Sequence, residues 1–325
     1  MTLCSVIIGT HQRLRYLKES LASALGQTGV DVEVIVVENG STDGTAEYLR
    51  SLADRRVVPV IHEQALGGTR ARSLGMAAAK GDWIGFLDDD DLWAPDKLQS
   101  EIAAAQDADR SWAYTGCVFI DAECEVIGGQ PPLTPEDAAS LLPVRYSIPG
   151  GTSSLIWRAG ALEQGELLEA RLTYMVDWDI SLRLLSKGLP AAVERPLVGY
   201  RQHGANMSIR AGTYLTELAV IEEKFQHLRQ GRRLDIASQY RNAGSEFARA
   251  GYKRQAFKHY VEAGRRGDRG AMLRAAALLV PRKAWPWLRL RFLSNEKWME
   301  MSEEWLAEHR RGHPAVRLVP VGAEA

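Results

Sequence analysis

Cysteine is scarce, with three residues in 325: Cys4, Cys117 and Cys124. They are too few and too scattered for a disulfide framework or a four-cysteine zinc site. Reduced, buried thiols of a cytosolic protein are the expected state. Long apolar runs are also missing. No stretch reaches the roughly 18 uncharged apolar residues of a membrane-spanning helix. The best candidate, Ala271 to Val280, is short and carries Arg274. Met1 to Gly9 has no basic leader, and its apolar run is too short for a signal peptide. No phosphate-loop lysine motif and no GxGxxG fingerprint occurs. Net charge is nearly absent, since 40 Lys+Arg meet 41 Asp+Glu to give -1. Hydrophobic residues at 46% and charged residues at 25% exclude wholesale disorder, a collagen-like fibre and a multi-span membrane protein. The length allows one large domain with an appendage, or two domains.

The missing net charge hides a split. Residues 1–223 carry 19 basic and 31 acidic side chains, or -12, whereas residues 224–311 carry 20 and 9, or +11. Patterning divides the chain at a similar place. Ser5–Ile8, Val32–Val37, Val57–Ile61 and Trp83–Leu87 are short apolar runs of the kind that form buried strands. Between them, Leu14, Leu17, Leu21 and Leu25, then Ala46, Leu49 and Leu52, then Ala71 to Ala79 recur at helical spacing. This alternation predicts an α/β fold with a Rossmann-like, mostly parallel sheet flanked by helices. Ligands of such sheets bind where loops leave the strands' carboxyl ends. Residues 112–203 read as mixed, with strands at Trp112–Ile120 and Ser154–Trp157 and a helix around Trp178–Leu185. From about 211 helices dominate, and Ile236–Ala250 with Arg254–Gly264 reads as a hairpin joined at Gly251. The expected division is an α/β domain at 1–210 and a basic α-helical C-terminal region at 211–325.

Three segments at strand ends carry chemistry. Asp88-Asp89-Asp90-Asp91 follows an apolar strand directly. Four adjacent carboxylates repel one another, and a divalent cation would offset that repulsion while sharing its oxygen ligands with phosphates. The alternative is a solvated acidic turn in which Asp91 caps a helix. Glu38 and Asn39 end the second strand and could hydrogen-bond a base or ribose; Asn39-Gly40 also supplies turn chemistry, and Ser41 or Asp43 a helix cap. Gly67-Gly68 loosens a loop before a helix, and Arg72 would add a fixed charge for phosphate.

Taken in order, these segments resemble the nucleotide-sugar-binding half of family 2 glycosyltransferases, which have the GT-A fold. Ser5-Val6-Ile7-Ile8-Gly9-Thr10-His11-Gln12-Arg13 is similar to that family's opening strand and nucleotide loop. Val37 to Thr45 resembles its second loop, Ala71-Arg72-Ser73-Leu74-Gly75 its Ala-Arg-Asn-x-Gly segment, and Asp88–Asp91 its Asp-x-Asp motif. Val176-Asp177-Trp178-Asp179 resembles its Glu-Asp-Trp-Asp segment, and Tyr200-Arg201-Gln202-His203 the motif closing the catalytic domain. The resemblance implies nucleotide-sugar contacts at Thr10, Glu38, Asn39, Arg72, Asp88 and Asp89. It implies Mn²⁺ or Mg²⁺ at Asp90, with His203 as second ligand, and Arg201 near the diphosphate. Asp177 becomes the general base, with Asp179 as second choice, and Gly151, Thr152 and Trp178 form the loop around sugar and acceptor. Arg183 is expected to pair with an acid.

The implied activity is inverting transfer of a sugar, from a UDP-linked donor by preference, to an acceptor hydroxyl in cell-surface polysaccharide or glycan synthesis. A non-catalytic nucleotide- or glycan-binding scaffold and a nucleotidyltransferase are the competing readings. A glycan or lipid-linked acceptor is expected, and no nucleic acid. Arg282 to Leu293 interleaves basic residues with Trp285, Trp287 and Phe292, which suits peripheral contact with a membrane. The expected location is the cytoplasm, with the inner face of the cell membrane as the place of that contact.

Overall fold

Alternation along the first strands gives the sheet two apolar faces. The computed structural model describes residues 2–162, 168–203, 214–279 and 296–311. In β1 (Leu3–Thr10) and β2 (Asp31–Asn39), Val6, Ile8, Val34 and Val36 enter one core, and Ile7, Ile35 and Val37 the other. The first core is covered by α1 (Leu14–Leu25), α2 (Thr45–Arg50) and α4 (Lys97–Asp107). The second is covered by α3 (Gly68–Ala78), α5 (Pro135–Leu141), α6 (Val176–Lys187) and α7 (Tyr214–Phe225). Strands buried on both faces need no polar alternation, which is why the sequence shows them as continuous apolar runs.

The sheet runs β3-β2-β1-β4-β8-β6-β9-β5, with β7 on the side of β6. Here β3 is Val57–His62, β4 Trp83–Phe86, β5 Leu92–Trp93, β6 Trp112–Ile120, β7 Val126–Gln130, β8 Leu155–Arg158 and β9 Ala191–Arg201. The long ladders, β1 with β2, β2 with β3, β1 with β4 and β6 with β9, are parallel. β8 enters antiparallel between β4 and β6. The carboxyl ends of β1, β2 and β4 therefore share one edge.

The strand β9 is not among those expected from periodicity. Glu194, Arg195 and Pro196 interrupt its apolar run, and the ladder absorbs them as an irregularity between Thr115 and Gly116. The Thr115 hydroxyl donates to the Arg195 carbonyl at 2.6 Å there. Helix α3 begins earlier than the predicted Ala71, because Gly67 takes φ 86° to turn the chain into it.

The C-terminal helices form a smaller core of their own. Hairpin α8 (Ile236–Arg249) and α9 (Lys253–Arg265) turns at Gly251, and α10 (Arg269–Leu278) packs beside it. Phe247, Ala256, Tyr260, Ala263, Ala271 and Ala275 are its buried centre. Gly244 lets Tyr260 press on the α8 backbone, where an added Cβ would meet the ring at 2.7 Å. The Asp235 N–H donates to the Val144 carbonyl at 2.8 Å, and the Arg249 guanidinium lies 4.2 Å over the Phe119 ring, docking the hairpin on the sheet domain. Two short helices, Glu296–Glu300 and Glu303–Arg310, cover the far end of β9, where Trp305 donates to the Pro196 carbonyl at 3.2 Å. All three cysteines are free and buried. No helix among the described residues is long and apolar enough to cross a membrane. The expected boundary near 210 and the basic segment at 282–293 lie outside the described residues.

Candidate active site

The loops after β1 and β2 clasp each other. Gln12 takes φ 57°, and its N–H donates to Ser41 Oγ at 3.0 Å. Its side-chain amide donates to Thr42 Oγ1 at 3.0 Å, and the Leu14 N–H donates to Asp43 at 2.9 Å. Glu38 is buried and accepts the Ser41 N–H at 2.5 Å, so its carboxylate braces its own turn. Asn39 Oδ1 accepts the Leu66 N–H at 2.6 Å, and its carbonyl meets His11 Nδ1 at 2.8 Å. Thr10 is buried at the end of β1, opposite Glu38 in the ladder.

The acidic run lies against these loops, and it is no solvated turn. Asp89, Asp90 and Asp91 are 5%, 7% and 1% exposed. The four acids have distinct sets of partners, although Arg13 is shared by two of them. Arg72 Nη2 meets Asp88 Oδ1 at 2.5 Å. Arg13 Nη1 bridges Asp89 at 2.9 Å and Asp90 at 2.5 Å. His203 Nε2 lies 3.0 Å from Asp90 Oδ2, with its ring stacked 4.9 Å from that of Tyr16. Asp91 caps no helix. It accepts the Ser153 hydroxyl at 2.6 Å and the Arg201 N–H at 2.9 Å, tying β9 to the loop before β8.

Burial and the neighbouring Asp90 push the Asp89 carboxyl up to about 6, against the pull of Arg13. Burial pushes Asp90 up as well, but His203 and Arg13 outweigh it and hold that carboxyl below its ordinary value. Burial, with Asp90 and Asp88 adding to it, drives Asp91 far upward. Arg201 is fully buried, and its head group donates to the Asp90 carbonyl at 2.7 Å and to Glu19 at 2.6 Å. It is thus occupied in bracing the acidic loop.

A glycine loop joins this edge to a second carboxyl. Gly150 and Gly151 take φ 67° and 60°, a conformation that costs a residue with Cβ energy. The loop presents the Thr152 hydroxyl to Asp88 at 3.3 Å, while the Asp88 N–H donates to Ser153 Oγ at 3.1 Å. Its other side faces Asp177, whose Oδ2 would be 3.6 Å from a Cβ on Gly151. Asp177 stands in the first turn of α6. Glu217 of α7 accepts the N–H groups of Thr173, Tyr174 and Met175, each at 2.9 Å, and so fixes the entry to that helix. Asp177 Oδ1 accepts the adjacent Trp178 N–H at 2.7 Å. Burial raises its carboxyl to about 7, reinforced by Asp88 and opposed by that N–H and by Arg72.

Asp177 lines a cavity of about 430 Å³ between the sheet domain and the helical hairpin. Rings of Tyr146, Trp178 and Tyr200 meet side chains of α8 across it. The Trp178 indole N–H is anchored on the Leu142 carbonyl at 2.7 Å. Asp179, the second candidate base, turns away: it is fully buried and paired with Lys224 and, at 2.9 Å, with Arg183.

The fold therefore brings Thr10, Glu38, Asn39, Arg72, Asp88, Asp89, Asp90 and His203 to one edge, and Gly151, Thr152, Asp177 and Trp178 to the adjoining cavity. Sequence reasoning missed Arg13, Ser153, Tyr16 and Glu217. Arg13 stands in a quoted segment, but nothing local signals that it meets acids 76 residues later.

Among the described residues no group of three or more His, Cys, Asp or Glu side chains is arranged to hold a metal. Asp90 and His203 form a two-donor pair of carboxylate and imidazole. That set fits a divalent cation that completes its shell with phosphate oxygens.

Comparison with known proteins bears on the family and the fold. Residues 5–151 match the profile described as glycosyl transferase family 2. An uncharacterized glycosyltransferase of Nostoc sp. is 31% identical over 224 residues, covering 66% of this chain and 69% of that protein. An Escherichia coli protein named UDP-Glc:alpha-D-GlcNAc-diphosphoundecaprenol beta-1,3-glucosyltransferase is 32% identical over 102 residues, 31% of this chain and 41% of that one. The crystal structure of S. aureus TarS 1-349 in complex with UDP-GlcNAc superposes with a TM-score of 0.53 at 16% identity, covering 96% of this chain and 93% of that chain. At that identity the likeness concerns the fold, which is the GT-A arrangement with helices following it.

Proposed function

The chain belongs to glycosyl transferase family 2, and from that premise we propose an inverting transfer of a sugar from a nucleotide-sugar donor, UDP-linked by preference, to an acceptor hydroxyl. The observation that carries this reading is the pairing of two sites across one loop. Thr152 touches Asp88 on the donor side, and Gly151 adjoins Asp177 on the cavity side.

In the proposed reaction Asp177 takes the proton of the acceptor hydroxyl. The hydroxyl oxygen forms a bond to the anomeric carbon as the bond from that carbon to the diphosphate oxygen breaks. The nucleoside diphosphate leaves with the electron pair, and the anomeric centre inverts. A carboxyl held near 7 is matched to this task, because it is basic enough to accept the proton yet ionised in part at neutral pH. Arg72 and Arg13 stand where charge develops on the leaving group. Asp90 and His203 would hold a Mn²⁺ or Mg²⁺ ion, and Asp88 and Asp89 would face ribose and phosphates. When bound, that ion supplies positive charge to the diphosphate. Thr10, Glu38 and Asn39 shape the nucleotide pocket, the last two by bracing its loops.

The name of the Escherichia coli relative, with its UDP-glucose donor and diphosphoundecaprenol-linked acceptor, supports a UDP donor and a lipid-linked acceptor in surface polysaccharide synthesis. That reading puts the enzyme in the cytoplasm, at the inner face of the membrane, with residues 1–210 as catalytic domain and 211–325 as a basic helical region. Purified protein with Mn²⁺, a panel of nucleotide sugars and glycan acceptors tests it. Release of nucleoside diphosphate with transfer of the sugar supports it. Release of pyrophosphate instead would identify a nucleotidyltransferase.

A further inference from the structure

The cavity over Asp177 is not built by the catalytic domain alone. Three of its charged walls come from the helical extension: Arg241 and Arg249 on α8 and Arg274 on α10. Two of them are held in place. Arg249 pairs with Glu246, reaches Gln202 at 3.4 Å and stacks 4.2 Å over Phe119. Arg241 pairs with Asp268 at 2.7 Å. Arg274 is exposed and has no hydrogen-bond or ion-pair partner among the described residues.

A guanidinium carries five N–H donors in a fixed fork. The protein contacts of Arg241 and Arg249 use only part of that capacity, and those of Arg274 none. The carboxylates lining the same cavity are Asp177 and Glu246, and Glu246 is already committed to Arg249. A neutral sugar would be served by the tyrosines and amides of the wall. Arginines lining one cavity from two helices match a planar or tetrahedral anion.

We infer that these arginines form an anion subsite for the acceptor, so the acceptor carries a phosphate or carboxylate group close to the hydroxyl that receives the sugar. The inference rests on the reading of Asp177 as the base that faces the acceptor. It gives the positive charge of the C-terminal region a use within the active site.

The test uses the full chain saturated with UDP and Mn²⁺, so that the donor edge is filled. Three probes are titrated by ligand-observed NMR: a hexose 1-phosphate, a hexuronate and the neutral hexose. An anionic probe should bind at least about tenfold tighter than the neutral one. Preference for the phosphate would identify a phosphorylated acceptor, and preference for the uronate an acidic sugar; either supports the subsite. Arg274→Gln should cut the preference, and Arg274→Gln with Arg241→Gln should remove it, with the affinity for UDP unchanged. Because Arg274 is exposed, its single variant keeps the test valid if the double variant folds poorly. Equal binding of all three probes, or a preference that survives both variants, overturns the inference while leaving the glycosyltransferase reading intact. Failure of the unaltered protein to bind UDP or any other nucleoside diphosphate would overturn that reading and the inference together.

Discussion

Two regions of this molecule use the same side chain in opposite ways. At the strand edge, Asp88, Asp89 and Asp90 each meet an arginine between 2.5 and 2.9 Å away. Across the glycine loop, Asp177 is hydrogen-bonded by no cationic side chain among the described residues, and burial lifts its carboxyl to about 7. In the first group Asp90 is compensated charge, which the proposed reaction would pass to a cation and a diphosphate, while Asp89 beside it is raised only to about 6. The second is a carboxyl whose charge the surroundings discourage, which keeps its affinity for a proton. Burial alone does not decide between the two outcomes. Asp90 is more enclosed than the half-buried Asp177 yet stays below its ordinary range because His203 and Arg13 sit beside it.

The contrast can be broken most severely at Asp177. Asp177→Asn should lower transfer by about 1,000-fold, within the span of general-base effects, while leaving UDP affinity as it was; steady-state kinetics and calorimetry read the two separately. Full activity in that variant would remove the base from the proposal. Asp90→Ala attacks the other region. It should weaken Mn²⁺-dependent UDP binding about 30-fold or more, from the roughly 2 kcal/mol lower bound for removing one member of a buried charge pair.

The pH profile sharpens the comparison without mutation. In the proposed reaction Asp177 accepts a proton only when ionised, so kcat/KM should fall about tenfold per unit as pH drops below about 7 and level off above it. A profile flat down to pH 5 would contradict the raised carboxyl. For folding, the sign is opposite. A carboxyl raised in the fold contributes stability that is present below its unfolded value of 3.8 and is lost as pH rises through about 7. Asp177→Asn should therefore melt a few degrees higher than the unaltered protein at pH 8. The smallest expected change is Ser153→Ala, which removes the hydroxyl serving Asp91 and the Asp88 N–H. A loss of about 1–3 kcal/mol in denaturant unfolding is expected there.

Much of the strand edge that carries the acids was legible because its signals are local. β1 to β4 are carried by short apolar runs, and only Leu87 separates β4 from the acids. What sequence could not supply was partnership across the chain. Arg13 looks like an ordinary charged residue at the start of a helix, and only the parallel pairing of β1 with β4 carries it to Asp89 and Asp90. Glu217 looks like one acid on a surface helix, yet it collects three N–H groups ahead of α6. β9 escaped because its charged residues and proline sit in a ladder irregularity rather than a clean alternation. The charge split of the chain was visible as arithmetic. That it closes a cavity over Asp177 required the docking of α8 on Phe119 and Val144.

The separate core of the hairpin has a consequence for inheritance. Phe247, Tyr260 and their alanine neighbours pack among themselves, apart from the apolar layers under the sheet. The floor of the cavity and its roof are thus written in two stretches of sequence that can drift independently. Mutations that reshape α8 or α10 need not disturb the strands holding Asp88–Asp91, so under the proposed reading selectivity can be retuned while the acidic edge stays as it is. A lineage carrying this architecture would diversify at residues 236–278 first, and grafting that stretch between relatives is the direct way to move preference from one chain to another.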